Sequence, residues 1–142
     1  MLGTTLERID PDSLVIKRLL LSAERSIVDA KYEKNSNETR FDVAYKAIIQ
    51  LSNAALQANG YRTLTSKPGH HMTMIQVLSQ TIGVDKQTVI VLDALRKQRN
   101  IADYSVDLIP VSAVEECVHY AESLLSDVNN WLKESKPDLT SL

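Results

Sequence analysis

The chain has little of the chemistry that small proteins use for cross-linking or for membrane anchoring. Its one cysteine, Cys117, has no second cysteine with which to form an intramolecular disulfide. No charged start leads into an apolar run of the length that a signal peptide or a membrane-spanning helix needs. We therefore expect a soluble, cytoplasmic protein with no membrane partner.

The signatures of several common enzyme classes are also missing. The sequence has no glycine-rich phosphate loop, no GxSxG elbow, and no Cys–His pairing that would make Cys117 more than a small core residue. The three histidines and the one cysteine lack the company that metal ligands need, and His119 stands alone on its segment. We expect neither a metal site nor a cofactor.

Neither sign of charge dominates the composition. The 16 Lys and Arg residues and 18 Asp and Glu residues give a net charge of -2, so there is no global basic field for gripping nucleic acid. A local basic patch does exist at Arg96, Lys97 and Arg99. With 142 residues, 44% of them hydrophobic and 24% charged, the composition is that of one domain. We expect a single domain over residues 1–142, with a core at about 8–134 and short flexible termini.

Proline and glycine divide the chain into helical segments. All four prolines and three of the four glycines lie between stretches with the apolar periodicity of a helix. The predicted helices cover about 11–33, 37–59, 69–82 and 85–104, and a fifth begins with a capping box at Ser112 to Glu115. "TVIVL" at 88–92 has strand propensity but no visible partner strand. The sequence therefore predicts an all-α, antiparallel up-and-down bundle of about five helices.

The second predicted helix has a narrow polar arc. At about 100° per residue, the arc consists of Asp42, Lys46, Gln50, Asn53 and Gln57. Alanines cluster on the opposite side, where another backbone can approach closely. Arg40 lies at the head of this alanine side, where it either extends to water or points into a cleft. Tyr45 is expected to pack within the bundle.

The fourth predicted helix changes from apolar to polar along one stripe. The polar part contains Arg96, Arg99, Asn100 and Asp103, with Tyr104 next to Asn100. Apolar residues cover most of the remaining circumference, so we expect this helix, like the second, to be largely buried. Two interpretations stay open. The arginines either complement the helix C-terminus and pair with Asp93 and Asp103, or they bind a ligand.

Three stretches resemble, in order and spacing, the HEPN family of small helical-bundle proteins. They are "RFDVAYKAIIQLSNAALQANGYR", "GHHMTMIQVL" and "LDALRKQRNIADY", and the resemblance covers roughly 8–133. It implies a HEPN-like homodimer, associated with a nucleotidyltransferase partner or acting as a ribonuclease toxin. Arg99 and Asn100 match the first two positions of the family motif R-N-x-x-x-H, whereas Tyr104 stands at the His position.

The tyrosine bears on catalysis. Metal-independent RNA cleavage needs a base for the ribose 2′-OH and a cation for the phosphate, roles that His and Arg would fill. A tyrosine with an ordinary pKa near ~10 is a poor base at pH 7. His70 or His71, at the start of the third predicted helix, would supply the missing imidazole, or else packs locally.

Three functions remain open. The first is a HEPN-like dimeric module that binds a nucleotide, RNA or a partner protein in an Arg-rich cleft, as part of a toxin–antitoxin or nucleotidyltransferase-associated system. The second is a metal-independent HEPN endoribonuclease with Arg99, Asn100 and Tyr104 as catalytic residues. The third is a structural or accessory dimer with no nucleic-acid role. The candidate binding residues are Arg40, Arg96, Arg99, Asn100, Asp103, His70 and His71.

Overall fold

The described part of the chain is mostly helical. A computed structural model describes residues 5–64, 69–104 and 109–139, with 102–104 described as helical backbone only. The helices are α1 (Ser13–Lys31), α2 (Asn37–Ala58), α3 (His70–Gln76), α4 (Leu78–Thr81), α5 (Lys86–Tyr104) and α6 (Val111–Ser135), followed by a 3-10 turn at Pro137–Leu139. Helix makes up 77% of the structure. No described helix has both the length and the apolar character needed to cross a bilayer.

Side-chain caps set the starts of three long helices. Asp12 Oδ1 accepts a hydrogen bond from the Leu14 N–H at 3.0 Å at the start of α1, and Ser36 Oγ accepts one from the Thr39 N–H at 3.1 Å in α2. At the start of α5, Asp85 Oδ1 accepts a hydrogen bond from the Thr88 N–H at 2.8 Å. These bonds satisfy N–H groups that the first helical turn leaves without partners.

The last helix starts differently from the prediction. Helix α6 begins at Val111, its N-cap is Pro110, and no side chain makes a capping hydrogen bond. Ser112 therefore lies inside the first turn, where it cannot form the predicted capping box. Pro110 has the extended backbone that is usual at an N-cap, with φ of -72° and ψ of 153°.

Two further local features depart from the predictions. The third predicted helix divides at Val77 into the short helices α3 and α4. Two three-residue strands, β1 (Leu6–Arg8) and β2 (Tyr61–Thr63), form an antiparallel ladder with Leu6 opposite Thr63. The segment 88–92 is helical, as predicted.

Helix α2 forms the centre of the structure. It contacts α1 and α6 most extensively and also touches α3, α4 and α5. Half of its residues are buried, among them Phe41, Ile48 and Leu51, and the buried Ser52 donates its hydroxyl to the Ile48 carbonyl at 2.8 Å. The prediction that this helix is largely buried is confirmed.

The matching prediction for α5 is wrong. Leu92 and Leu95 are its only buried residues up to Ile101, while Ile90 and Ile101 are 60% and 65% exposed. Helix α5 packs along one narrow face against α3, α2 and α4, and its contacts with the other described helices are few. Helix α5 therefore has more apolar surface than the described core covers.

Candidate functional site: a cleft between α2, α3 and α5

The polar arc of α2 meets the polar end of α5 in a cleft of about 560 Å³. We refer to it as the α2–α5 cleft. Its walls are formed by Asp42, Val43, Tyr45, Lys46, Ile49, Gln50, His71, Arg99 and Asn100. The fold thus brings the matched motif residues Arg99 and Asn100 together with His71, which the sequence offered as a source of the missing imidazole.

Tyr45 and His71 form the inner part of this site. The hydroxyl of Tyr45 lies 3.2 Å from His71 Nδ1, and the two ring centroids are 5.9 Å apart. Tyr45 is 4% exposed and belongs to the core, as expected from the sequence, whereas His71 is partly exposed at the wall of the cleft. Through this contact, a core residue of α2 holds a side chain that lines the cleft.

Burial controls the protonation of both groups. It raises the pKa of Tyr45 to about 12, even though the positive charges of Arg96 and Arg99 act in the opposite direction. Burial also lowers the pKa of His71 below its usual value, and the nearby His70, Arg99 and Arg96 lower it further. At neutral pH the site therefore contains an un-ionised phenol and a neutral imidazole.

Arg99 presents its guanidinium to the cleft. Its Nε lies 3.5 Å from Asp42 Oδ1, and its side chain is 31% exposed. The guanidinium carbon is 6.0 Å from the centroid of the Tyr45 ring, at the outer limit of a cation–π contact. Arg99 is thus oriented by two α2 residues while part of its surface stays accessible to a ligand.

Arg96 has a different environment. Its Nε lies 2.8 Å from Asp93 Oδ1, and the two side chains are only 15% and 16% exposed. Lys97 approaches the other oxygen of Asp93 at 3.5 Å. Of the two interpretations of the α5 arginines, pairing with Asp93 describes Arg96, which does not line the cleft.

The expected common cleft with Arg40 is not formed. The Nε of Arg40 donates to the carbonyl of Ala30, near the C-terminus of α1, at 2.8 Å. Arg40 lines a separate depression next to Lys31, Glu115 and His119. Its position on the alanine side of α2 turns it toward α1 and α6, because that side packs into the core, whereas the polar arc faces α5.

The remaining candidates are less informative. His70 stacks edge-on against His71, with ring centroids 4.7 Å apart, but it does not line the cleft. Asp103 and Tyr104 belong to the last turn of α5, and their side chains lie outside the described residues.

Several residues that line the cleft were not among the binding residues predicted from the sequence. Asp42, Lys46 and Gln50 were recognised as a polar arc, and that arc was the signal that could have assigned them. Gln50, which lines the cleft, accepts a hydrogen bond at Oε1 from the Ser26 hydroxyl at 3.4 Å, and this bond does not use its amide NH₂. Val43 and Ile49 give the cleft an apolar wall.

The charged groups of the cleft favour an anion. Lys46 and Arg99 contribute two positive charges and Asp42 one negative charge, while His71 is neutral. The cleft therefore carries an excess of one positive charge in a chain whose net charge is -2. Within the described residues, no group of three or more His, Cys, Asp or Glu side chains is placed to bind a metal ion.

Comparisons with known proteins add no assignment. No protein-family model, curated protein or solved structure matches the chain.

Proposed function

We propose that the protein is a HEPN-like module that binds a nucleotide or an RNA segment in the α2–α5 cleft. One observation carries the proposal: an accessible arginine, Arg99, and the apolar side chains of Val43 and Ile49 line the same cleft of about 560 Å³. Nucleotides combine an anionic phosphate with a flat, largely apolar base, and both parts match this arrangement.

The residues on different walls of the cleft would contact different parts of the ligand. Arg99 offers a planar pair of donors to phosphate oxygens, and Lys46 adds a second positive charge. Val43 and Ile49 pack against the base or sugar. The amides of Asn100 and Gln50 supply hydrogen-bonding groups for the polar edges of the ligand.

A homodimer of antiparallel HEPN-like bundles, located in the cytoplasm, is part of the same proposal. The exposed Ile90 and Ile101 on α5 support it, because a second copy of the chain could bury them. An antitoxin or a nucleotidyltransferase is the proposed protein partner. Support for these partners comes only from the sequence resemblance.

Binding measurements test the proposal directly. Wild-type protein is titrated with AMP, ATP and a fluorescein-labelled single-stranded RNA, and Arg99→Ala and Lys46→Ala are compared with it. Arg18→Ala, an exposed arginine on α1 outside the cleft, is the matched control. We expect wild type and Arg18→Ala to bind alike and the cleft variants to bind more weakly. Equal affinity of Arg99→Ala, or no binding by wild type, would contradict the proposal.

A second candidate function is metal-independent RNA cleavage. The observation that favours it is the presence of an imidazole, His71, and a guanidinium, Arg99, in one cleft. RNA cleavage in the presence of EDTA that disappears in both Arg99→Ala and His71→Ala would select this function. Binding of RNA without cleavage would select the binding module. If the protein neither binds nor cleaves RNA, a structural role for the dimer remains.

A further inference from the structure

The direction of one hydrogen bond decides what His71 can offer a ligand. Tyr45 Oη and His71 Nδ1 are 3.2 Å apart. A neutral imidazole has one nitrogen that donates and one that accepts, while a phenol can do both. Either the phenol donates to Nδ1 and the ring proton is on Nε2, or Nδ1–H donates to the phenol and Nε2 is a free base.

Burial of Tyr45 selects the first arrangement. Tyr45 is 4% exposed. The bond to His71 is the only hydrogen bond that the described residues provide for the Tyr45 hydroxyl. A buried hydroxyl that donates to nothing loses free energy compared with its hydrated state. Nδ1 of His71 is the acceptor that the described residues offer to this hydroxyl, which favours donation from the phenol to Nδ1.

The charges around His71 support a neutral ring. Arg96 and Arg99 face it from α5 and His70 from α3, and each opposes its protonation. The carboxylates nearest to these arginines, Asp93 and Asp42, are engaged with them rather than with the imidazole. A neutral ring that accepts at Nδ1 must have its proton on Nε2.

We infer that Tyr45 is a positioning residue that keeps His71 in the Nε2–H tautomer, so that His71 donates to an acceptor-only group such as a phosphate oxygen. The inference rests on the proposed binding function, which it deepens by naming the ligand group that contacts His71. A ribose 2′-OH that had to lose its proton would meet an N–H at this position instead of a base. The tautomer therefore favours binding over His71-dependent cleavage.

Nitrogen NMR of the ligand-free wild-type protein is the first test. Long-range ¹H–¹⁵N spectra of the imidazole rings distinguish a protonated, pyrrole-like nitrogen from an unprotonated, pyridine-like one. At neutral pH we expect pyridine-like Nδ1 and pyrrole-like Nε2 for His71. The reverse pattern would overturn the inference, and it does so without any ligand.

Tyr45→Phe tests whether the phenol causes this preference. The variant keeps the ring that packs in the core and removes only the hydroxyl. We expect the Nε2–H preference of His71 to weaken, which a purely structural role of Tyr45 would not produce. An unchanged tautomer ratio in folded Tyr45→Phe, checked by circular dichroism, would remove Tyr45 from the positioning role.

Two amide substitutions test the donor with inorganic phosphate as the probe. The side-chain NH₂ in His71→Gln reaches roughly as far as Nε2, whereas the NH₂ in His71→Asn reaches only as far as Nδ1. We expect His71→Gln to keep phosphate affinity within a few fold and His71→Asn to lose about tenfold, or about 1.4 kcal/mol. Equal losses in both would overturn the donor role.

The two proposals fail in different ways. If the Nε2–H tautomer is found but wild type does not bind inorganic phosphate or AMP, the proposed function is overturned and the tautomer assignment stands. If wild type binds phosphate and His71 is the Nδ1–H tautomer, the inference is overturned and the binding function stands.

Discussion

Helices α2 and α5 border the same cleft, yet they are packed in opposite ways. Helix α2 has neighbours on nearly every side, and alanines such as Ala44 and Ala47 let α1 and α6 approach it closely. Helix α5 is supported along one face and leaves Ile90 and Ile101 exposed. The cleft forms where the more buried helix meets the less buried one.

The contrast assigns a different contribution to each helix. The buried helix supplies groups with fixed orientation, above all Tyr45, whose hydroxyl contacts His71. The exposed helix supplies Arg99, whose guanidinium a ligand can reach. Rigid orientation and accessible charge are difficult to obtain from a single helix, because burial that fixes a cation also removes it from water.

The largest expected effect compares two isoleucines. Ile48 on α2 is fully buried and Ile90 on α5 is 60% exposed. We expect Ile48→Ala to lower the free energy of unfolding by about 2–5 kcal/mol and Ile90→Ala to change it by at most about 0.5 kcal/mol in dilute protein. Urea denaturation measures both values.

The same pair tests the proposed homodimer. If α5 forms the dimer surface, Ile90→Ala lowers the melting temperature only at concentrations where wild type dimerises by light scattering. A loss in dilute Ile90→Ala as large as that in Ile48→Ala would contradict the contrast between the helices.

The next comparison is between the two arginines of α5. Arg96→Ala removes a nearly buried charged hydrogen bond to Asp93, so we expect a loss of about 1–3 kcal/mol in unfolding free energy. Arg99→Ala removes a more exposed contact to Asp42 and should cost less than about 1 kcal/mol. The affinity for AMP should show the opposite order, because Arg99→Ala should weaken AMP binding more than Arg96→Ala does.

Arg99→Lys sharpens the role of the accessible cation. Lysine keeps the charge but not the planar pair of donors, so we expect AMP affinity to fall about tenfold with little change in melting temperature. Lys46→Arg is the complementary variant and should keep or improve the affinity. If Arg99→Lys binds AMP as well as wild type does, charge alone accounts for the role of Arg99.

The smallest expected effect is the pH dependence that His71 causes. Its pKa is lower in the folded protein than in the unfolded chain, so the unfolded chain takes up the proton first as the pH falls. Stability should therefore be unaffected by this group well above pH 6.5 and should decrease as the pH falls through 6.5 toward the folded-state pKa.

Melting temperatures between pH 8 and pH 5 (roughly the range in which histidine titrates) measure this slope. His71→Gln should reduce it, because glutamine does not titrate in this range. An equal slope in wild type and in His71→Gln would show that His71 does not contribute.

Much of the helical pattern was predictable because it depends on neighbouring residues. The caps Asp12 and Asp85 and the glycine that ends α2, Gly60 with φ of 88°, lie where the chain itself starts or stops a helix. The apolar stripe of α6 is buried as its spacing predicts, from Val114 to Leu132. The capping box failed because the N-cap of that helix is Pro110, two residues before Ser112.

The site was predictable only in part. Arg99, Asn100 and His71 were selected from the sequence, and the fold places all three at the cleft. Arg40 was also selected, but it contacts the Ala30 carbonyl instead. Periodicity shows which residues share a face of one helix, but it does not show which neighbouring helix that face meets.

The sequence by itself determined a mostly helical chain, a largely buried α2 with a polar arc, and a cluster of hydrogen-bonding groups at the end of α5. These follow from periodicity, capping and composition, which act over a few residues. The tertiary structure alone decided that α5 is half exposed, that β1 pairs with β2, and that Tyr45 contacts His71 across 26 positions. Such contacts depend on how the helices pack, because only the balance of burial over the whole chain brings distant residues together.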